Sequence, residues 1–317
     1  MNDMFVVCGE ALMDVYVLGT TSTGLHLDAR IGGSPFNVAV GLARLGRRSA
    51  LLAGLSRDTA GERLMQALAA EGVDTRLVLR SDAPTTLSVV SVDAAGVPHY
   101  AFHGHGAADR AIDTAGLPAL PPEARVLQFG SYALVVEPVG SALRALAARE
   151  RGRCLVAYDP NVRLNVEPDL ARWRTTVEAM AALSHIVKVS DEDLGLLYPD
   201  STPGQVAARW LSLGVRLVVL TRGARGSEAW TPTRQAAEAA APVEVVDTVG
   251  AGDTFQAALL TWLDEHEALS AAGIEALDAV RLAALLRFAT RASAITCSRR
   301  GADMPRRDEL PADRSPR

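Results

Sequence analysis

The chain has 317 residues, 49% hydrophobic and 22% charged, with 32 basic and 37 acidic side chains giving a formal net charge of −5. That is room for one large α/β unit, or about two domains of roughly 100–200 residues, with a dry core that needs neither metals nor disulfides. A nucleic-acid binder shows a basic excess on at least one stretch, and none is present, so nucleic acid is not an expected partner.

Taken in chain order, short apolar runs alternate with longer helical patterns. Strands are predicted over 5–8, 50–54, 86–92, 126–130, 155–159, 186–190, 217–221 and 243–246, and helices over 36–45, 61–70, 138–149, 170–183, 203–213, 252–266 and 277–294. Ser34-Pro35 reads as an N-cap followed by proline at the first helical position, and Gly46, Gly72 and Gly214 read as helix stops. This alternation predicts an α/β protein with a mostly parallel sheet covered by helices on both faces. Two stretches, 12–31 and 83–103, show β-like alternation without an intervening helix. They form either a small separate sheet beside the main body or two exposed hairpins. The charged, proline-bearing segment from Arg306 onward is expected to fray.

The N-terminal MNDMFVVCGEALMD lacks the basic region and apolar segment of a signal peptide, and no run approaches the ~18 apolar residues of a membrane span. The cysteines, Cys8, Cys154 and Cys297, are odd in number and far apart, and the first two sit in apolar strand-like runs that suit buried inert thiols. Together these features predict a cytoplasmic protein.

In an open parallel sheet, ligands bind at the carboxyl ends of the strands. Four predicted strands are followed there by polar, turn-forming segments: Asp159-Pro160-Asn161-Val162-Arg163, Ser190-Asp191-Glu192-Asp193, Thr221-Arg222-Gly223-Ala224-Arg225-Gly226, and Asp247-Thr248-Val249-Gly250-Ala251-Gly252-Asp253. The last is the most informative. Its glycines let the backbone turn sharply into a helix whose first N–H groups point outward, alongside the positive end of the dipole, as a phosphate site requires. Asp253 falls in the first turn, where a carboxylate either complements the dipole or takes the proton of a hydroxyl during phosphoryl transfer. A Walker loop is missing, since Lys188 is the only lysine and lacks that context, and no G-x-G-x-x-G follows the first strand. Near the N-terminus, Gly32-Gly33 opens another helix with Asn37 in its first turn. Asp14 is either a turn residue or an acceptor for paired hydroxyls.

Taken together these segments resemble the ribokinase-like, or PfkB, carbohydrate kinase family, nearly end to end from GEALMDV (9–15) to RRGADMP (299–305). GGSPFNVAVGLARLG (32–46) and DTVGAGDTFQAALL (247–260) look like its two signatures, and GEALMD, GLARLG and DPNVR look most like its fructokinase-like branch. The resemblance implies a three-layer α/β/α kinase domain over 1–305, with lid segments at about 12–31 and 83–103 and a flexible tail over 306–317. It implies ATP-dependent phosphorylation of a sugar, fructose first, with 2-keto-3-deoxygluconate, ribose or a nucleoside as alternative acceptors. A non-catalytic sugar- or nucleotide-binding protein is the alternative of a different class. Asp253 would be the base, the backbone of Gly250, Ala251 and Gly252 the anion hole, and Arg163 a neutraliser of phosphate charge. Asp14, Gly33 and Asn37 would hold the sugar, and Ser190, Thr221, Gly223 and Gly226 would border ATP. Mg2+ would ride on the nucleotide, and K+ would rest against Asp247 and the backbone of Val249, with carbonyls near Arg299 and Gly301. The lid would serve a homodimer. One departure stands out in YAFHGHGAADR (100–110), where the branch tends to carry tyrosine and arginine at the positions of His103 and Gly104. His103 and His105 would either line the acceptor pocket or belong only to the lid.

Overall fold

The computed structural model describes residues 3–92 and 98–310. Its principal sheet is built from β1 (Met4–Cys8), β4 (Arg48–Leu52), β9 (Ala124–Gly130), β10 (Leu155–Asp159), β11 (Ile186–Ser190), β12 (Leu217–Thr221), β13 (Ser227–Trp230) and β14 (Gln235–Glu238). The spatial order is β14-β13-β12-β11-β10-β9-β1-β4, parallel from β4 to β12 and antiparallel at β13 and β14. Strands β1 and β10 are buried along their whole length, as strands covered on both faces must be, which is why MFVVC and LVAYD are unbroken apolar runs up to Asp159.

Side chains alternate between two cores. Phe5, Val7, Ala157 and Val219 pack with α1 (Ser34–Arg44), α2 (Thr59–Ala70), α7 (Ala251–Glu265) and α9 (Ala279–Cys297), whereas Val6, Cys8, Tyr158 and Leu220 pack with α3 (Val139–Glu150), α4 (Leu170–Leu183), α5 (Asp191–Leu197) and α6 (Pro203–Ser212). Helix α7 is buried continuously from Asp253 to Leu263, so its start is fixed by the packing of everything behind it. A short α8 (Ala271–Glu275) links α7 to α9.

The two β-rich stretches pair with one another. A second sheet runs in the order β3-β2-β7-β8, from β2 (Leu12–Thr20), β3 (Leu25–Gly32), β7 (Leu87–Val92) and β8 (Pro98–His103). A small pair of strands, β5 (Gly54–Ser56) and β6 (Leu79–Ser81), lies between the two bodies in sequence. Because β2 follows β1 after three residues, the root of this second sheet stands at the carboxyl end of β1.

Several expectations are corrected. No strand forms over 243–246. Val245 and Val246 are more than half exposed, and the segment is held by Val246 and Asp247 N–H groups donating to the Cys297 carbonyl. The sheet ends instead in the β13–β14 hairpin. The acidic run after β11 is helical, capped by Ser190, whose hydroxyl accepts from the Asp193 N–H. Gly33, not Ser34, is the cap of α1, and Ser34 lies inside the helix with its hydroxyl engaged elsewhere. Gly46, Gly72 and Gly214 do take the left-handed conformation of helix stops. Residues 306–310 do not fray: Arg307 pairs with Glu265 and Leu310 is buried. Residues 311–317 lie outside the described part.

Candidate active site

Asp253 lies in the first turn of α7, 8% exposed, facing the first turn of α1. Ser34 Oγ donates to its Oδ1 at 2.6 Å, and Asn37 Nδ2 donates to its Oδ2 at 2.8 Å. Two helix starts therefore hold one carboxylate in a fixed orientation. Each oxygen keeps a lone pair with which to accept a substrate hydroxyl. Burial pushes the Asp253 carboxyl above its ordinary value, while the bonds from Ser34 and Asn37 and the charge of Lys188 pull it back. Asp253 is thus a better proton acceptor than an exposed aspartate.

The turn ahead of it leaves helix N-terminal amides without partners among the described residues. Gly250 caps α7 at φ +78, and a Cβ there would lie 2.6 Å from Ala302 Cβ, so only glycine fits. The Ala251 N–H closes the turn onto the Thr248 carbonyl. Among the described residues, the N–H groups of Gly250, Gly252 and Asp253 have no acceptor. Of the three amides expected from Gly250, Ala251 and Gly252, that of Ala251 is used in making the bend, and the Asp253 amide is open beside the other two. Asp247 holds this loop: Oδ1 accepts from Val249 N–H at 3.0 Å and Oδ2 from Gly301 N–H at 2.8 Å, tying it to the segment after α9.

Behind this turn sits a buried ion pair. Lys188 Nζ lies 2.7 Å from Asp159 Oδ2, with both side chains about 5% exposed or less, and a Cβ at Gly252 would be 3.0 Å from that nitrogen. The one lysine of the chain thus backs the helix mouth from the neighbouring strand. Removing it would leave the Asp159 carboxylate buried and uncompensated. Lys188→Met is expected to lower folding stability by about 3–5 kcal/mol, read from the urea midpoint, and an unchanged midpoint would contradict the pairing.

Around this centre the carboxyl ends of the strands add more groups. Asp193 is held up at about 6, first by burial and then by the charge of Asp159, and its Oδ1 accepts the Val162 N–H. Arg163 is exposed, donates to the Val162 carbonyl, and its charge lowers Glu10, Asp14 and Asp193. Glu10, just past β1, is pushed up to about 8 by burial, against a hydrogen bond with Ser131, and its Oε2 has no partner. Asp14 on β2 pairs in register with Ser88, and its Oδ2 occupies the space where a side chain on Gly32 would begin, 2.2 Å from that Cβ position. Gly33 has φ +104, and a Cβ there would lie 2.9 Å from the Glu10 carbonyl, so the backbone of α1 comes close to the end of β1.

Thr221, Gly223 and Ser190 lie together at the ends of β12 and β11, the first and last paired in register. Gly226 makes the turn into β13, where a Cβ would stand 2.1 Å from the Glu238 carbonyl, so hairpin packing alone requires glycine. His103 ends β8 of the second sheet and His105 follows it, both exposed. Ser34, Glu10 and the Asp159–Lys188 contact were not anticipated from sequence. The one available signal was a lysine inside an apolar strand.

A carboxylate fixed beside free helix N-terminal amides is the arrangement that phosphoryl transfer requires. The pfkB family carbohydrate kinase profile matches residues 2–308. A fructokinase from Rhizobium leguminosarum bv. trifolii is 38% identical over 275 residues, 87% of this chain and 84% of that protein. Fructokinase with bound ATP from Xylella fastidiosa superposes with a TM-score of 0.87 at 25% identity, covering 98% of this chain and 97% of that one. A double mutant of fructokinase from Vibrio cholerae O395, bound to fructose, ADP and potassium ion, superposes at 0.79 and 25% identity over 95% and 94% of the chains. The chain belongs to the pfkB family of carbohydrate kinases.

Proposed function

We propose that this kinase transfers the γ-phosphate of ATP to a primary hydroxyl of fructose. The observation that carries the reading is the Asp253 carboxylate, clasped by Ser34 and Asn37 beside the unpaired amides of Gly250, Gly252 and Asp253. The fructokinases to which the chain is similar support fructose as the acceptor.

Asp253 takes the proton of the attacking hydroxyl as the new O–P bond forms and the bond from the γ-phosphorus to the β-phosphate oxygen breaks, releasing ADP. The free amides and the helix dipole receive the negative charge of the moving phosphoryl group. Arg163 neutralises phosphate charge from the other side. Asp14, Gly33 and Asn37 hold the sugar, Asn37 through the oxygen left free by its bond to Asp253. Thr221, Gly223 and Ser190 border the nucleotide, with Gly226 shaping their loop.

Mg2+ arriving with ATP fits this rim. Asp159 Oδ1 is buried without a hydrogen-bond partner and Asp193 stands beside it, so these two would hold the ion through water, and the ion would supply charge neutralisation at the phosphates. Among the described residues no cluster of three or more His, Cys, Asp or Glu could hold a metal by itself, which suits an ion carried by the nucleotide. K+ suits the Asp247 loop, where one carboxylate draws Val249 and the Gly301 segment together.

Leu18, Leu25, Leu27 and Tyr100 are all more than half exposed on the lid sheet, an apolar face that suits pairing with a second copy. No helix among the described residues is long and apolar enough to cross a membrane. The three unpaired cysteines suit the reducing cytoplasm.

The test is ADP release with a panel of fructose, ribose, 2-keto-3-deoxygluconate and a nucleoside, with and without K+. Fructose is expected to have the highest kcat/KM. A higher value for any other acceptor would replace it.

A further inference from the structure

Directly after the lid sheet, Arg110 ends a single helical turn (Ala108–Arg110) at the lid's root. Its guanidinium carbon stands 5.2 Å from the centre of the Phe102 ring and 5.5 Å from that of Tyr132, and the two rings meet edge to face at 5.2 Å. A Cβ on Gly104 would fall 2.8 Å from Arg110 Nη2 and 2.6 Å from Phe102 Cε1. A side chain at 104 would have to displace the guanidinium or the Phe102 ring.

Several half-buried arginines of this chain are neutralised by carboxylates, and Arg110 is not. Arg44, Arg47 and Arg80 are each closed by a carboxylate. Arg110 is half-buried, its Nε is buried without an acceptor, and among the described residues it makes no ion pair and no side-chain hydrogen bond. The nearest carboxylate is engaged elsewhere: Asp109 accepts from Thr86 Oγ1 at 2.5 Å and from the Tyr132 hydroxyl at 2.8 Å. An arginine positioned by two rings, with its planar fork left unpaired, is set to receive oxygens from outside the protein.

Its position points to the sugar. Thr86 accepts the Met13 N–H through its carbonyl, which joins the Asp109–Tyr132 group to the strand that carries Asp14. Glu10, at the end of β1, feels the charge of Asp109 as well as that of Arg163. Asp14 and Asp253 are balanced on this side by Arg163 and Lys188, and a free guanidinium beside them can donate to the vicinal hydroxyls of a neutral polyol such as fructose.

We propose that Arg110 is an acceptor-recognition residue, its guanidinium donating to two adjacent oxygens of a neutral sugar at the end away from the transferred phosphate, with Gly104 kept small to seat it. The proposal rests on the sugar-kinase reading above.

Steady-state kinetics of Arg110→Met with fructose and ATP test it. The KM for fructose is expected to rise about ten- to a hundredfold, the loss of a charge-assisted hydrogen-bonding pair, with kcat within threefold and the KM for ATP unchanged. Gly104→Ala, which displaces the guanidinium without removing it, is expected to give the same signature at smaller size, and it carries the test if Arg110→Met does not fold. A fructose KM within twofold of wild type in a folded variant would overturn the assignment, as would a KM for ATP that rises in step. A gain of turnover on 2-keto-3-deoxygluconate relative to fructose in wild type would overturn the neutral-sugar class. Wild type that releases ADP with no sugar at all would remove the kinase reading and the proposal together.

Discussion

Asp253→Asn is expected to lower kcat by about a hundred- to ten-thousandfold, the range that a positioned general base contributes, while ATP binding stays within twofold of wild type. The asparagine keeps the shape and can still accept from Ser34, so the loss reports proton transfer and not collapse of the site. The pH profile carries the same claim. Because burial raises the Asp253 carboxyl, wild-type kcat/KM should fall on acidification with a midpoint above the ordinary carboxylate value. The stability sign follows from the same shift. A carboxyl raised in the folded state favours folding while it is protonated, and that contribution is lost as pH rises through the folded value. At pH 7–8 the variant should therefore melt no lower than wild type, matching a group that serves activity at some expense to the fold. Residual turnover within tenfold of wild type, measured by ADP release, would remove Asp253 as the base.

Gly250→Ala is the second large effect. Position 250 holds φ +78, where an alanine is strained by about 1–3 kcal/mol, and the added Cβ would also meet Ala302 at 2.6 Å. Part of Ala302 at that contact is backbone, so it cannot swing aside like a flexible side chain. The turn must open, which moves the free amides of Gly252 and Asp253 off the phosphoryl group. A loss of about a hundred- to a thousandfold in kcat is expected, with a lower melting temperature. Gly252→Ala provides the contrast, since position 252 has ordinary helical geometry and its Cβ would meet only the tip of Lys188. Equal kcat values for the two variants would show that the bend is not what places the amides.

Much of this architecture was legible in the residues, for physical reasons. Unbroken apolar runs such as FVVC and LVAYD announce strands covered on both faces, and glycines followed by an acid announce a helix mouth open to anions. The β13–β14 hairpin was not legible, because SEAW and QAAE carry almost none of the β-branched signal that the exposed VEVV segment carries. That segment nevertheless runs as irregular chain, tied by its backbone to Cys297. Ser34 looked like a cap because serine before proline usually is one. Only the approach of α1 to α7 reveals that its hydroxyl faces Asp253. The Lys188–Asp159 pair depends on strand register, and the nesting of Arg110 over Gly104 depends on a turn whose path no periodicity encodes.

The central claim is that this site moves phosphate from ATP to a sugar hydroxyl. Following γ-32P-labelled ATP in a single turnover, with and without fructose, tests it most directly. The account predicts that label appears on the sugar and that little inorganic phosphate forms in its absence. Label released as inorganic phosphate at the same rate with or without sugar would contradict it.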